Sequence, residues 1–349
     1  MQNDYLCNQR KDKMEDLVNI GTEIIYKKVA DLINNARISV LQSVNRTMVY
    51  TYFGIGKMIV EEEQGGAARA GYGKQIIKDL SVRLTADFGK GFSQRNIEQM
   101  RQFYLIYSKA QTVSAEFKLS WSHYLMLMRI DNEQERRFYE IESSENGWSL
   151  RELQRQFDTS LYERLVLSRD KNEINKLSQV GQVIEKAKDS LKDPYILEFI
   201  GLQEEIKYSE TEFEQKIIDK LEHFLLELGK GYAFIGRQVR FTFDDKHFRV
   251  DLVFYNRILQ CFVLIDLKIG EITHQDLGQM QMYVNYYDRF VKLENENKTI
   301  GIILCKKKND TLVEITLPEN NEQIFASKYQ TVLPSKSELK LLINSKMED

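Results

Sequence analysis

The chain has 349 residues, of which 42% are hydrophobic and 29% charged, and its formal net charge is −3. Such a composition suits about two folded domains with sizeable cores and excludes a disordered polyelectrolyte; the charge also excludes a globally basic nucleic-acid binder. No run of about 18 apolar residues is present, so no membrane-spanning helix and no membrane partner is expected. The opening stretch MQNDYLCNQRKDKMED lacks the basic-then-apolar pattern of a secretory leader, which points to a cytoplasmic protein. Cys7, Cys261 and Cys305 have no metal-type spacing and are expected to be reduced thiols.

In chain order, residues 14–168 read as a helical N-terminal domain. Its apolar residues recur three and four apart, and this half contains no proline. After the small-residue loop GGAARAGYG, the segment YGKQIIKDLSVRLTADF predicts an amphipathic helix, and GKGFSQRNIEQMRQFYLIY a second one. Gly89 and Gly91 break the first of these helices and Ser93 caps the second. Ile97, Met100, Phe103 and Tyr104 form the buried stripe of the second helix. Arg95, Asn96, Gln99 and Arg101 are left as outward DNA-binding candidates, and the arrangement resembles a helix-turn-helix or winged helix with a longer turn than usual. From Arg69 to Arg101, seven Lys or Arg stand against three acids, which is equally the signature of a solvated face. FGIGK at 53–57 and Ser120, Ser122 and His123 lack the surrounding motifs of a phosphate loop or a nucleophilic site and are read as structural.

Residues 169–193 are polar, weakly helical and end before Pro194, so they read as a linker or connecting helix. Residues 194–345 change pattern. TEFEQKIIDKLEHFLLELG predicts one helix closed by Gly229; YAFIGRQVRFTF, HFRVDLVFYN and LQCFVLIDLKIG predict three strands; QDLGQMQMYVNYYDRFV predicts a helix and TIGIILCK a buried strand.

Asp251, Asp266 and Lys268 interrupt this apolar strand region. An unpaired charge buried there costs several kcal/mol, so the three groups need a common explanation. Alternation puts Asp266 and Lys268 on one face, and a hairpin turn at Asn256–Leu259 brings Asp251 abreast of Asp266, with adjacent strands ~4.8 Å apart. Two carboxylates that close call for a cation between them, and an all-oxygen donor set suits Mg²⁺ or Mn²⁺. Lys268 would then orient a water or stabilise charge on a phosphoryl oxygen. The plainer alternative is a buried Asp–Lys ion pair without catalysis.

The string Asp251…Asp266-Leu267-Lys268 resembles the PD-(D/E)XK nuclease signature, with Val250 in place of the proline. Gln279-Met-Gln-Met-Tyr283 is similar to the Q-x-x-x-Y element of RecB-like members. Together with YGKQIIKDLSVRL, GFSQRNIEQMRQFY, LSWSHY, WSLRELQRQ, FLLELGKGYAFIGRQ and GQMQMYVNYYD, these motifs resemble the YhcG-like proteins over about residues 20–340. The resemblance implies a two-domain α+β architecture: an all-α N-terminal domain and a restriction-endonuclease-like domain whose central mixed sheet is flanked by helices. It also implies metal-dependent hydrolysis of DNA, with Asp251 and Asp266 as Mg²⁺ ligands and Lys268 aiding the water. Many relatives use Glu where Asp266 stands here. The superfamily adds an acid from the first core helix, and at 100° per residue Glu214 falls in the middle of the stripe of Ile217, Leu221, Phe224, Leu225 and Leu228, with Glu222 at its margin and Glu227 well off it. Glu214 is therefore the expected additional ligand. Gln275, Gln279 and Tyr283 share a helix face suited to a phosphate or to steadying Lys268. The family setting implies DNA as partner and suggests a restriction-modification partner. A non-cutting DNA-binding or assembly module, or a homodimeric junction resolvase, are the alternative readings.

Overall fold

The computed structural model describes residues 2–65, 70–108, 116–167, 171–202, 208–339, 341 and 343. The chain divides into two compact units, Met1–Asp131 and Asn132–Asp349.

The first unit is helical: α1 (Gln2–Gly65), α2 (Ala70–Phe88), α3 (Gln94–Tyr107) and α4 (Trp121–Leu127). Ile97, Met100 and Phe103 of α3 are fully buried, and Phe103 packs edge-on or tilted against Phe53, Phe117, Trp121 and Tyr124. Tyr107, rather than Tyr104, completes the buried stripe. Gly56 explains the FGIGK stretch, because a Cβ there would lie 2.1 Å from the Met100 carbonyl oxygen. Glycine at this position lets α1 press directly on the backbone of α3, and the segment is a helix crossing rather than a phosphate loop. A 3₁₀ turn, Lys90–Phe92, joins α2 to α3 after Gly89 at φ +90°, and the Ser93 hydroxyl accepts the Asn96 N–H.

In the second unit, α5 (Glu133–Glu145), α6 (Leu150–Asp158), α7 (Leu161–Leu167) and α8 (Lys171–Val180) precede a mixed sheet. Its strands are β1 (Tyr195–Ile196), β2 (Tyr232–Phe243), β3 (Lys246–Asn256), β4 (Cys261–Glu271), β5 (Ile300–Lys307) and β6 (Ile324–Gln330), in the order β1-β6-β5-β4-β3-β2. The pairs β2–β3 and β3–β4 are antiparallel, whereas β4–β5, β5–β6 and β6–β1 are parallel. The left-handed pair Asp244 and Asp245, at φ +50° and +58°, makes the tight β2–β3 turn.

Alternation along the strands gives each face its own core. On one side Leu252, Phe254, Val263, Ile265, Leu267, Ile302 and Leu304 pack under α9 (Glu210–Asp219) and α10 (Leu221–Leu228). On the other, Val253, Leu264, Ile303, Cys305 and Ala326 pack under α11 (His274–Phe290). Gly301 lets α11 settle on β5, since a Cβ there would meet Met280 at 2.6 Å. A last short helix, α12 (Asp310–Thr316), lies between β5 and β6. An all-α N-terminal region, α1–α8, thus leads into a mixed sheet flanked by helices.

The single helix expected over residues 211–228 is broken. Lys220, at φ −123° and ψ 32°, separates α9 from α10 and resets the phase of the inward stripe. Glu214 remains buried at 5% exposure, but Glu227, expected off the stripe, is fully buried. It accepts from Arg164 Nη1 at 2.5 Å and from the Ile196 N–H at 2.9 Å. Burial pushes the Glu227 carboxyl up, but Arg164 and Lys192 pull harder and hold it below the ordinary carboxylate value. Lys192, inside the segment expected as linker, is buried against the Glu227 carbonyl oxygen; burial lowers its ammonium to about 8, with Glu227 opposing.

Candidate active site

The hairpin β3–β4 pairs Asn256 with Cys261 and Leu252 with Ile265. Continuing that register makes Asp251 and Asp266 the next opposing positions. Asp251 Oδ2 accepts the Leu267 N–H at 2.8 Å, which ties the first acid to the strand of the second. Asp266 is 4% exposed and lies with Lys268 on the face covered by α11. Lys268 Nζ stands 2.8 Å from Asp266 Oδ2 and 3.8 Å from Asp276 Oδ1, the latter in the first turn of α11.

Burial raises the Asp266 carboxyl to about 7, with Asp251 pushing the same way and Lys268 pulling back. For Lys268, burial lowers the ammonium, but Asp266, then Glu210 and Asp251, more than offset this and hold it above its ordinary value. The group stays charged and acts as a cation and donor. Tyr283 is buried, its hydroxyl receives Gln279 Nε2 at 2.5 Å, and burial followed by Asp266 and Asp251 raises its phenol to about 12. Gln279 thus holds Tyr283, while Asp276 is the α11 residue beside Lys268; Gln275 is exposed.

Glu214 reaches the same region from α9 through a residue that the sequence reading missed. Gln238 of β2 uses its amide Nε2 to donate to Glu214 Oε2 at 2.5 Å and to Asp251 Oδ1 at 3.0 Å. Its backbone is left-handed, φ +47°, inside a strand, where a residue with a Cβ is strained. Arg237 Nε lies 3.3 Å from Glu214 Oε1. Burial raises the Glu214 carboxyl and Asp251 adds to this, against Gln238 and Arg237. The available signal was the polar pair Arg237-Gln238 inside an otherwise strand-like run; its left-handed turn had none.

The donors are hard oxygens, suited to Mg²⁺ or Mn²⁺. Asp266 Oδ2 and Glu214 Oε1 are buried and each faces a single cationic partner, Lys268 at 2.8 Å and Arg237 at 3.3 Å, so each retains capacity for a cation beyond that partner. Among the described residues no group of three His, Cys, Asp or Glu side chains is placed to hold a metal ion.

The DNA-binding candidates lie on α3 in the first unit. Arg95 is exposed and Gln99 half-buried. Asn96 Nδ2 donates to the Gly91 carbonyl at 3.1 Å, and Arg101 Nε donates to both Glu63 oxygens at 2.9 and 2.7 Å. Asn96 and Arg101 thus have partners within that unit.

Residues 188–344 match the YhcG PDDEXK nuclease domain and residues 28–164 the DUF1016 N-terminal domain. The chain is 39% identical to the curated protein YhcG of Escherichia coli (strain K12), covering 91% of this chain and 92% of that protein. The chain belongs to the YhcG-like family. Its members join an N-terminal domain to a C-terminal PD-(D/E)XK nuclease domain, and the acids and lysine above lie in the latter. Solved chains with lower likeness include a repair endonuclease from Pyrococcus abyssi, at 15% identity and TM-score 0.25, covering 37% of this chain and 50% of that one. Another is EndoMS in apo form, at 16% identity and TM-score 0.24, covering 38% and 49%. The chain spans about half the length of these solved chains. Among the described residues no helix is long and apolar enough to cross a membrane.

Proposed function

We propose that the chain is a Mg²⁺- or Mn²⁺-dependent deoxyribonuclease that hydrolyses phosphodiester bonds. The observation that carries this reading is the meeting of Asp251, Asp266 and Lys268 at one end of the β3–β4 hairpin, beside buried Glu214, in a domain of nuclease family. Asp251 and Asp266 would hold the cation, with Glu214 as a further ligand to the metal or to its water once the cation draws the three acids together. When bound, it supplies Lewis acidity and charge neutralisation at the scissile phosphate. Lys268, kept an ammonium by Asp266, orients the attacking water and stabilises negative charge on a phosphoryl oxygen. Tyr283 and Gln279 steady the site from α11, and Gln238 fixes the spacing of Glu214 and Asp251. Residues 14–168 would serve DNA or partner binding, 169–193 the connection and 194–345 the chemistry, with Arg95, Asn96, Gln99 and Arg101 as DNA contacts. A homodimer and a restriction-modification partner belong to the same proposal.

Calorimetry with Mg²⁺ or Mn²⁺ on wild type and Asp266→Ala, followed by cleavage of a mixed DNA panel, tests the reading. Metal binding lost in the variant together with metal-dependent cutting by wild type is expected. Cutting that survives Asp251→Ala or Lys268→Ala would refute the assignment, and no metal binding even with DNA present would leave a binding module. Four-way junctions cut in preference to linear duplex would identify a resolvase.

A further inference from the structure

β4, β5 and β6 are parallel and end at the same edge of the sheet, and the crevice outside the carboxyl ends of such strands is where open α/β sheets receive ligands. Here that edge carries a cavity of about 450 Å³ whose lining includes Lys306, Lys307, Lys308 and Lys328 with a single carboxylate, Glu271. Lys308 is satisfied by Asp310 at 2.8 Å and Asp193 at 3.3 Å. Lys307 and Lys328 have no ion-pair partner among the described residues. Ammonium groups drawn around one concave space repel one another, and the arrangement is favourable when an anion enters it.

The register ties this cavity to the acids and lysine of the candidate site. Lys268 of β4 pairs with Cys305 of β5, and Cys305 pairs with Lys328 of β6, so the three form one row across the sheet. In a parallel sheet such partners share a face, which is the face of Asp266. Two strand spacings put the Lys268 and Lys328 backbones ~10 Å apart, and Lys307 lies two residues, ~6.6 Å, beyond Cys305 on that same face. Lys268, Lys328 and Lys307 thus lie on one face of the sheet, running from the candidate site toward β6 and away from Asp251 and Glu214, with Asp193 accepting the Lys328 N–H at 3.1 Å.

We infer that the Lys307–Lys328 cavity binds backbone phosphates of a DNA strand adjacent to the phosphate held at Asp266 and Lys268. The inference rests on the nuclease reading for the identity of the polyanion. Phosphate contacts of this kind carry register and affinity but no sequence information.

The test uses the full chain, a fluorescently labelled mixed-sequence DNA duplex and a salt titration in EDTA, so that binding is measured without cutting. Each phosphate contact contributes about −0.9 to the slope of log affinity against log salt. Lys307→Gln/Lys328→Gln should make the slope shallower by about 1.8 and weaken binding by roughly 60-fold at ~0.1 M salt, while Lys307→Arg/Lys328→Arg should bind as wild type does. The control Arg257→Gln/Lys298→Gln removes the same charge at the opposite strand ends and should change neither quantity. Melting temperatures identify any variant that has merely unfolded. A glutamine pair with the wild-type slope, or wild type that does not bind DNA, overturns the inference. Wild type that binds with the cavity-dependent slope but never cuts with Mg²⁺ or Mn²⁺ leaves the cavity standing and removes the nuclease reading.

Discussion

Gln238 offers a perturbation whose two parts can be separated. Its amide donates one N–H to Glu214 and one to Asp251, at 2.5 and 3.0 Å. A hydrogen bond to a charged group contributes ~1.5–3 kcal/mol, and water reaching half-buried Asp251 replaces part of what is lost, so Gln238→Ala should destabilise the metal-free protein by about 2–3 kcal/mol. The backbone at φ +47° works in the other direction. Alanine retains the ~1–2 kcal/mol cost of a left-handed residue and glycine does not, so Gln238→Gly should be more stable than Gln238→Ala by about 1 kcal/mol while lacking the same amide. Urea unfolding of the three proteins in EDTA measures both differences. Metal-dependent DNA cutting should fall by a similar factor, on the order of tenfold, in both variants, because the position of the acids depends on the amide and not on the backbone strain. If Gln238→Ala matched wild type in stability and cutting, the bridge between Glu214 and Asp251 would not exist in solution. If glycine restored cutting that alanine lost, the backbone rather than the amide would be what positions them.

Asp266 predicts a pH dependence of definite sign. Burial and Asp251 raise its carboxyl from 3.8 to about 7, so between those values the folded state keeps a proton that the unfolded state has released. Metal-free stability should therefore fall as pH rises from about 4 to 7 and level off above; Asp266→Asn should lack this component, and identical profiles for the two proteins would refute it. Divalent-ion affinity measured by calorimetry should rise over the same interval as the proton ceases to compete. At the other side of the sheet, Glu227→Gln leaves Arg164 and Lys192 buried without their counter-charge and should cost roughly 3–5 kcal/mol in urea unfolding, with a loss under about 1 kcal/mol counting against the buried cluster.

The parts of the site that were legible in the sequence are those governed by local periodicity. A hairpin of alternating apolar residues has its register set by its turn, so the opposition of Asp251 and Asp266 and the shared face of Asp266 and Lys268 follow from counting. Gln238 escapes such counting because its role depends on a backbone conformation that glutamine does not advertise. Asp276 escapes it for another reason: as the N3 acid of the Thr273 capping box it has an evident helix-start role, and only the packing of α11 over β4 brings it to Lys268. The Glu63 partner of Arg101 escapes counting in the same way, because it stands on a different helix.

Glu214 and Glu227 show how far helix phase can be trusted. Up to Lys220 the 100° rule holds and Glu214 faces the sheet; beyond it the same rule turns Glu227 away, yet it is fully buried. The difference is one residue out of helical conformation, whose cost is offset only if the displaced side chains find partners. Phe224 and Leu228 find the apolar core, while Glu227 finds Arg164, Lys192 and the Ile196 N–H. A carboxylate buried in the first case without a full set of donors, and in the second with one, marks different kinds of site. Glu214 Oε1 and Asp266 Oδ2 each face a single cationic side chain from which an entering cation can draw them, whereas Glu227 is neutralised by groups that belong to the fold. The distinction separates the acid suited to a metal from the acid that holds α7 and α10 together.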